Sequence, residues 1–444
     1  MYKLEDAIII GITGRVGKTS TAYLVHEYLK SLGKKSILYS SCKVDSPYGQ
    51  YGDFGMEMTF NTEYDVIKIL HEAVAYEAEY IIIECWETSI KNGFFDKIPF
   101  DLKVMTKFFY TGNGHRGADL VYQNKLRFFK DEQDAKCLIN VVNYDEPEKS
   151  QIINFIKEAN VKDLVLMDSV RINFNQNEGI YEDYFNNDSK YVDHRANFKA
   201  SDIKYKLNSF FDGASKSILN IDLAGQELPL TSDLISGYHI ENIMMTAAIL
   251  NEINALDIES FKEFIADPLL EIPGRMESIQ WEGRTILIDN LIPLRIMRRI
   301  AGNHPLKVIV GYKVVESVLD ENHRKNHPYR SGIDGIQDFN YDPNMVNQFA
   351  DHVYITVSNI GRYSAEFLTD TFAEKTTIPY TKILNRAEAI KVALEESKPG
   401  DVIAIVRRGS DTRFLDSYDK FSYFNDSETV YDIIDKLKLQ KTEE

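Results

Sequence analysis

The stretch AIIIGITGRVGKTSTAYLVHEYL, residues 7–29, decides how the rest of the sequence is read. Ala7 to Ile12 is a continuous apolar run rich in isoleucine, the pattern of a parallel strand buried on both faces. After Lys18, the residues Ala22, Val25, Leu29 and Leu32 recur at spacings of three and four, which lines one face of a helix that Gly33 can end. Gly11, Gly14 and Gly17 sit at the junction. Glycines there let the backbone turn tightly and aim N–H groups at an anion, and the helix N-terminus adds partial positive charge. The segment therefore predicts a phosphate cradle, in which Lys18 contacts the terminal phosphates of a nucleotide and the Thr19 hydroxyl ligates magnesium. The long form GxxxxGK[ST] is not met, because position 12 is isoleucine; the shorter GxxGK[ST] is.

Composition narrows what can surround that cradle. With 444 residues, 44% hydrophobic and 12% aromatic, the chain is too long for one compact core and should divide into two or three domains. No run approaches the roughly 20 apolar residues of a membrane helix, and Met1 to Asp6 lacks the features of a signal peptide, so no membrane association is expected. Cys42, Cys85 and Cys137 lie far apart with no CxxC pair, which supports neither a disulfide framework nor a thiolate zinc site and fits a reducing cytoplasm. A formal charge of -17 argues against a nucleic-acid surface, since phosphate backbones select for clustered Lys and Arg.

Further along, Ser36 to Ser40, Tyr80 to Cys85, Lys136 to Val142 and Leu164 to Met167 read as strands, with an amphipathic helix over Asp65 to Ala75. Alternating strands and helices predict a mostly parallel sheet, whose ligands bind at the carboxyl ends of the strands. Glu84 falls at such an end, and so do Asn143 and Asp145. Glu84 is equally suited to hold a metal or to accept hydrogen bonds from the next loop's backbone. Residues 171–215 are polar, aromatic and poorly periodic, and suggest a peripheral β-rich excursion. A second αβ series begins after Pro273 and Gly274: strands at 285–290, 307–312, 352–357 and 401–406, with a helix over 386–397. The expected domains are 1–273 and 274–444.

At this point the chain resembles the Mur ligases, and within them the UDP-N-acetylmuramoyl-tripeptide synthetases. GITGRVGKTS resembles the family's TGxxGKTT loop, MTFNTEYD its threonine-bearing loop, and IIIECW the strand ending in a magnesium-binding glutamate. ADLVYQNKLRFF is similar to the helix whose lysine is carbamylated, which places that lysine at Lys125. SGYHIEN resembles the motif near the adenine and gives Asn242; PGRME resembles the interdomain GRME and gives Arg275; ILIDN resembles the strand whose aspartate holds the ribose and gives Asp289. Seven short motifs in the family's order make the resemblance specific. It implies an α/β chain with a P-loop ATPase-type parallel-sheet central domain, followed by a Rossmann-like C-terminal ligase domain.

The resemblance also implies the chemistry: an ATP-dependent ligase joining a carboxylate to an amine through an acyl phosphate. Lys18 and Lys125 would be catalytic; Gly14, Gly17, Lys18, Thr19, Asn242, Arg275 and Asp289 would bind ATP; Thr19, Glu84 and a carbamate on Lys125 would hold Mg2+. Several departures stand against the family pattern. Its metal-binding histidine reads Thr88, and its TNxxxDHxDxHG segment reads TKFFYTGNGHRG, where His115 is the remaining histidine. DYAHTP reads DNLIPL, and the Gly-Gly-Arg-Asp phosphate loop is not recognisable in GYKVVESVLDEN. DNPR reads SNIGR, with Asn359 and Arg362, and GKGHE reads RRGSD, with Arg408, Gly409 and Asp411. An Arg clamps a carboxylate and an Asp accepts from an ammonium, so these residues suit an amino-acid substrate.

Only ten residues precede Gly11, so a separate uridine-binding domain is not expected in this sequence. The expected carboxylate is accordingly small, outside the standard peptidoglycan step, and gripped beside Arg15, Asn61 and Thr62. That carboxylate would be presented by itself or on a carrier. The alternatives are a UDP-MurNAc-peptide ligase of cell-wall synthesis, a catalytically degenerate ATP-binding subunit supporting a partner enzyme, and a P-loop phosphotransferase.

Overall fold

The structure is a computed structural model and describes residues 3–14, 16–47, 63–107, 118–130, 132–141, 148–169, 203–212, 216–313, 341–360, 363–417 and 420–443. The described chain forms two compact units, the first running to Leu270 and the second starting at Glu271.

Ten strands make the sheet of the first unit: β1 (Ile8–Thr13), β2 (Ser36–Tyr39), β3 (Val44–Asp45), β4 (Tyr80–Glu84), β5 (Leu102–Met105), β6 (Lys136–Asn140), β7 (Leu164–Asp168), β8 (Ile203–Asp212), β9 (Ser217–Leu223) and β10 (Gln226–Ser232). Their spatial order is β10-β9-β8-β7-β6-β5-β1-β4-β2-β3. From β8 to β2 every pairing is parallel, and only β3, β9 and β10 run antiparallel to their neighbours. Ile9, Ile10 and Ile12 are buried, as an apolar run between two parallel neighbours requires. Helix α1 (Lys18–Ser31) buries Ala22, Leu24, Val25, Tyr28 and Leu29. Its chain then turns at Gly33, whose φ of 74° suits a residue without Cβ.

Two readings of this unit change. β5 was not expected, because Lys103 interrupts a run of only four residues, yet it lies beside β1 at the centre of the sheet. The excursion expected over 171–215 is also revised: of that segment the structure describes Ile203–Asp212, which is a strand of the main sheet parallel to β7.

The second unit holds a six-stranded sheet of β11 (Arg275–Trp281), β12 (Arg284–Asp289), β13 (Leu306–Val310), β14 (His352–Ile355), β15 (Tyr380–Lys382) and β16 (Val402–Val406), in the order β11-β12-β16-β13-β14-β15. All pairings but β11–β12 are parallel. The helices Arg386–Glu395 and Asp426–Glu443 cover one face, packing Ile390, Leu394, Val430 and Ile434 on Ile288, Ile309 and Ile403.

Candidate functional site

Strand register assembles the site of the first unit. Ile12 pairs with Glu84 and Thr13 with Met105, so β1, β4 and β5 end side by side. The residues that follow them, Gly14 onward, Cys85–Glu87 and Thr106–Lys107, emerge at one edge, the carboxyl edge where ligands of parallel sheets bind. Gly14 has φ 147°, and a Cβ there would lie 2.2 Å from Thr106 Oγ1. Thr106 Oγ1 in turn donates to Val16 O at 2.7 Å, so the glycine loop is seated directly on the end of β5.

Gly17 precedes α1 at φ 87° and Lys18 begins it. Lys18 is buried, donates from Nζ to Gly14 O at 2.9 Å, and holds its ammonium 4.4 Å from the centroid of the Trp86 ring. The Thr19 hydroxyl donates to Glu84 Oε1 at 2.8 Å and lies 3.0 Å from Ser41 Oγ. Glu84 Oε2 accepts from Ser40 Oγ and from the Ser41 N–H, both at 2.9 Å. Both uses foreseen for Glu84 are thus open to one carboxylate: it anchors the loop after β2 and stands in an oxygen-only group with Thr19 and Ser41. Such hard oxygen donors beside a phosphate cradle suit magnesium.

The carbamate does not fit in the same way. Lys125 is fully buried on α4 (Ala118–Phe129), the fourth helix after α1, α2 (Glu63–Tyr76) and α3 (Glu87–Lys91), and its Nζ donates to Glu87 Oε1. Burial pushes the Glu87 carboxyl up, but the charges of Lys125 and then Lys18, with the Lys125 hydrogen bond, hold it at about 2. A carbamate on Lys125 would replace an attraction to the half-buried Glu87 with a repulsion between adjacent anions.

A second buried pair borders the loop. Lys107 Nζ lies 3.0 Å from Glu241 Oε2. Glu241 stands on α6 (Gly237–Glu252), the next described helix after α5 (Glu148–Ala159), and beside it Asn242 closes on the glycine loop: a Cβ on Gly17 would fall 2.6 Å from Asn242 Oδ1. Asn242 is therefore set against the phosphate loop itself.

In the second unit Asp289 ends β12, accepting from Met276 N at 2.8 Å on Oδ2 and from Leu291 N at 2.7 Å on Oδ1. Arg275 Nη1 donates to Gly274 O at 3.0 Å. Gly274 has φ 62°, and a Cβ on it would meet Ser410 N at 1.9 Å, so the PGR turn and Gly409 are packed backbone to backbone. Asp411 is held by Lys313 Nζ at 2.9 Å. Arg408 differs from its expected role. It is fully buried, Nη1 donates to Ser358 O at 2.6 Å and Asn359 Oδ1 at 2.8 Å, and Nη2 to Asp411 O at 2.9 Å. Its guanidinium also lies over Phe414 and Phe424, and burial brings it down to about 10. In this structure it ties its own loops together rather than offering a free clamp.

Arg15, Asn61, Thr62, His115, Asn143, Asp145 and Arg362, and the side chain of Thr88, lie outside the described residues. Sequence reasoning missed Ser40, Ser41, Trp86, Glu87, Thr106, Lys107 and Glu241. The available signal was position: Trp86, Glu87, Thr106 and Lys107 directly follow strand ends. All three cysteines are free, and no described helix is long and apolar enough to cross a membrane.

A glycine loop at the carboxyl edge of a parallel sheet, with a buried lysine and a cluster of oxygen donors beside it, is the architecture of a P-loop nucleotide-dependent enzyme. The Mur ligase middle domain profile matches residues 12–250, and the chain belongs to the Mur ligase family. Members of this family are ATP-dependent amide-bond-forming ligases, and this chain is an enzyme of that class. It is 23% identical to a UDP-N-acetylmuramoyl-L-alanyl-D-glutamate--2,6-diaminopimelate ligase of Clostridium perfringens, over 96% of this chain and 78% of the relative. It is also 23% identical to a UDP-N-acetylmuramyl-tripeptide synthetase of Latilactobacillus sakei, over 92% of this chain and 75% of the relative. In fold it is similar to the Mycobacterium tuberculosis folylpolyglutamate synthase solved with ADP and AMPPCP, with a TM-score of 0.59 and 14% identity, covering 92% of this chain and 90% of that one.

Proposed function

We propose that this protein is a UDP-N-acetylmuramoyl-peptide ligase, which uses ATP and magnesium to join the peptide carboxylate to an amino acid. The observation that carries the ATP half is the Lys18, Thr19 and Glu84 constellation on the glycine loop. The two relatives, both named for muramoyl peptides and matched over more than nine-tenths of this chain, favour this substrate over the small free carboxylate expected from the sequence.

A carboxylate cannot expel oxide to an amine at neutral pH, so its oxygen first attacks the γ-phosphorus. ADP leaves and an acyl phosphate forms; the amine then attacks the acyl carbon, phosphate leaves, and the nitrogen loses its proton. Negative charge develops on the transferring phosphoryl group, and the Lys18 ammonium, already fixed by Gly14 O, lowers that cost. Gly14, Gly17 and the α1 N-terminus supply N–H donors to the phosphates, with Asn242 beside them and Arg275 and Asp289 as adenosine-side contacts. Thr19 and Glu84 would hold magnesium, which when bound neutralises phosphate oxygens. Gly409 and Asp411, with Arg362, Asn61 and Thr62, are the proposed substrate contacts, and Arg408 holds the backbone carbonyl of Asp411.

The deciding assay supplies ATP, a set of amino acids, and either a UDP-muramoyl dipeptide or free small carboxylates, and follows ADP and product mass. Amino-acid-dependent extension of the muramoyl peptide is expected. Ligation of only the small carboxylates, or ADP release without amide product, would overturn the reading.

A further inference from the structure

Trp86 and Glu87 are consecutive, and each engages a lysine from a different part of the unit. The Trp86 ring faces the Lys18 ammonium. Glu87 accepts from Lys125 on α4 and feels the charge of Lys18 as well. Lys18 follows β1, Glu87 follows β4, and Lys125 comes from a helix further on, so the half-buried Glu87 stands between contributions from two buried lysines, Lys125 by hydrogen bond and Lys18 by charge.

We propose that Lys125 remains an unmodified ammonium and acts as a positioning residue: it anchors Glu87, and Glu87 with Trp86 fixes the phosphate-loop lysine Lys18. This departs from the carbamate-held metal that the family resemblance implies. The purpose of the series rests on the ATP-ligase reading; the covalent state of Lys125 does not.

The chemistry of carbamate formation supports the departure. The neutral amine must attack carbon dioxide, forming the N–C bond, and the nitrogen must then give up a proton, which turns a site of charge +1 into one of charge -1. Glu87 opposes both ends of that change. Its carboxylate stabilises the ammonium, which cannot attack, and would lie against the product anion inside the protein, where like charges are weakly screened. The family's histidine position, which would bring in a metal to offset two anions, reads Thr88. Lys125 has no exposure, so it works on the phosphate site through Glu87 rather than by contact.

The test is 13C NMR of the full chain equilibrated with 13C-bicarbonate, together with Lys125→Arg and Lys125→Met. No carbamate resonance is expected in the wild type. Lys125→Arg, which keeps a fixed cation but cannot form a lysine carbamate, should hold the KM for ATP within about threefold. Lys125→Met should raise that KM roughly tenfold or more, and acetate should not restore it. A wild-type carbamate resonance that is lost in Lys125→Arg would overturn the proposal, as would rescue of Lys125→Met by acetate. Should Lys125→Met fail to fold, the wild-type spectrum and Lys125→Arg still decide. A chain without ATP turnover would refute the ligase reading and leave the spectrum to decide the state of Lys125.

Discussion

Thr19 and Glu84 are 65 positions apart in the chain, and the threonine hydroxyl donates to the glutamate at 2.8 Å. The contact joins the start of α1 to the end of β4, and it exists because Ile12 and Glu84 are register partners across two parallel strands. A carboxylate so placed has one oxygen on the phosphate-side hydroxyl and the other on the loop after β2.

Glu84→Gln should therefore impair magnesium use more than folding. The amide keeps the shape and one acceptor but loses the charge, so the magnesium concentration for half-maximal turnover should rise tenfold or more. Magnesium titration of turnover, with thermal unfolding as the control, checks it; an unchanged midpoint would remove Glu84 from the metal subsite.

Lys18→Met should lower turnover by about two or more orders of magnitude, the scale of losing a donor aimed at developing charge. Because the chain has two tryptophans and Trp86 faces Lys18, a Trp281→Phe background isolates a reporter. In that background, ATP should change Trp86 emission as the ammonium moves from ring to phosphate. Emission that does not respond to saturating ATP would show that Lys18 keeps its contact with the ring.

Lys107→Met should be destabilising, because it leaves Glu241 charged beside the phosphate loop with its buried partner removed. Breaking such a pair costs about 3–5 kcal/mol. Chemical denaturation measures it, and adding Glu241→Gln in the same chain should recover most of the loss. Failure of the double variant to recover would mean that the two residues are not energetically coupled.

Arg408→Met should lower stability by about 3 kcal/mol, since Ser358 O, Asn359 Oδ1 and Asp411 O would lose a charged donor in the interior. Thermal unfolding is the measurement. A higher KM for the amino acid at unchanged stability would return Arg408 to the role of a substrate clamp.

Glu271 gives a pH dependence. Burial, and then the charge of Glu277, push its carboxyl up to about 7, against which the Ser278 N–H is a smaller opposing influence. The folded state thus binds more protons than the unfolded one between about 4.3 and about 7. The stabilisation is full below that window and is lost as pH rises through 7. Glu271→Gln should flatten this slope and raise stability at pH 8 by about 1–2 kcal/mol, allowing for its partial exposure to solvent. Urea denaturation at pH 5 and pH 8 reads the difference; an equal slope in the variant would show that another group carries it.

The sequence by itself determined the glycine turn between β1 and α1 and the largely parallel character of both sheets. Those features are written locally: the isoleucine run of β1, the glycine spacing before Lys18 and the three-and-four periodicity of α1 each need no distant residue to be recognised. β5 escaped because four residues around Lys103 carry too little pattern, and the strand is fixed instead by pairing with β1 and β6. The roles of Glu87, Lys107 and Arg408 were likewise decided only by tertiary structure. A charged side chain reads the same in sequence whether it faces solvent, substrate or a buried counter-charge. Packing of α3 against α4 brought Glu87 to Lys125, chain folding set Glu241 against Lys107, and Arg408 turned inward onto Ser358, Asn359 and Asp411, because a charge withdrawn from solvent requires a partner that the local sequence does not contain.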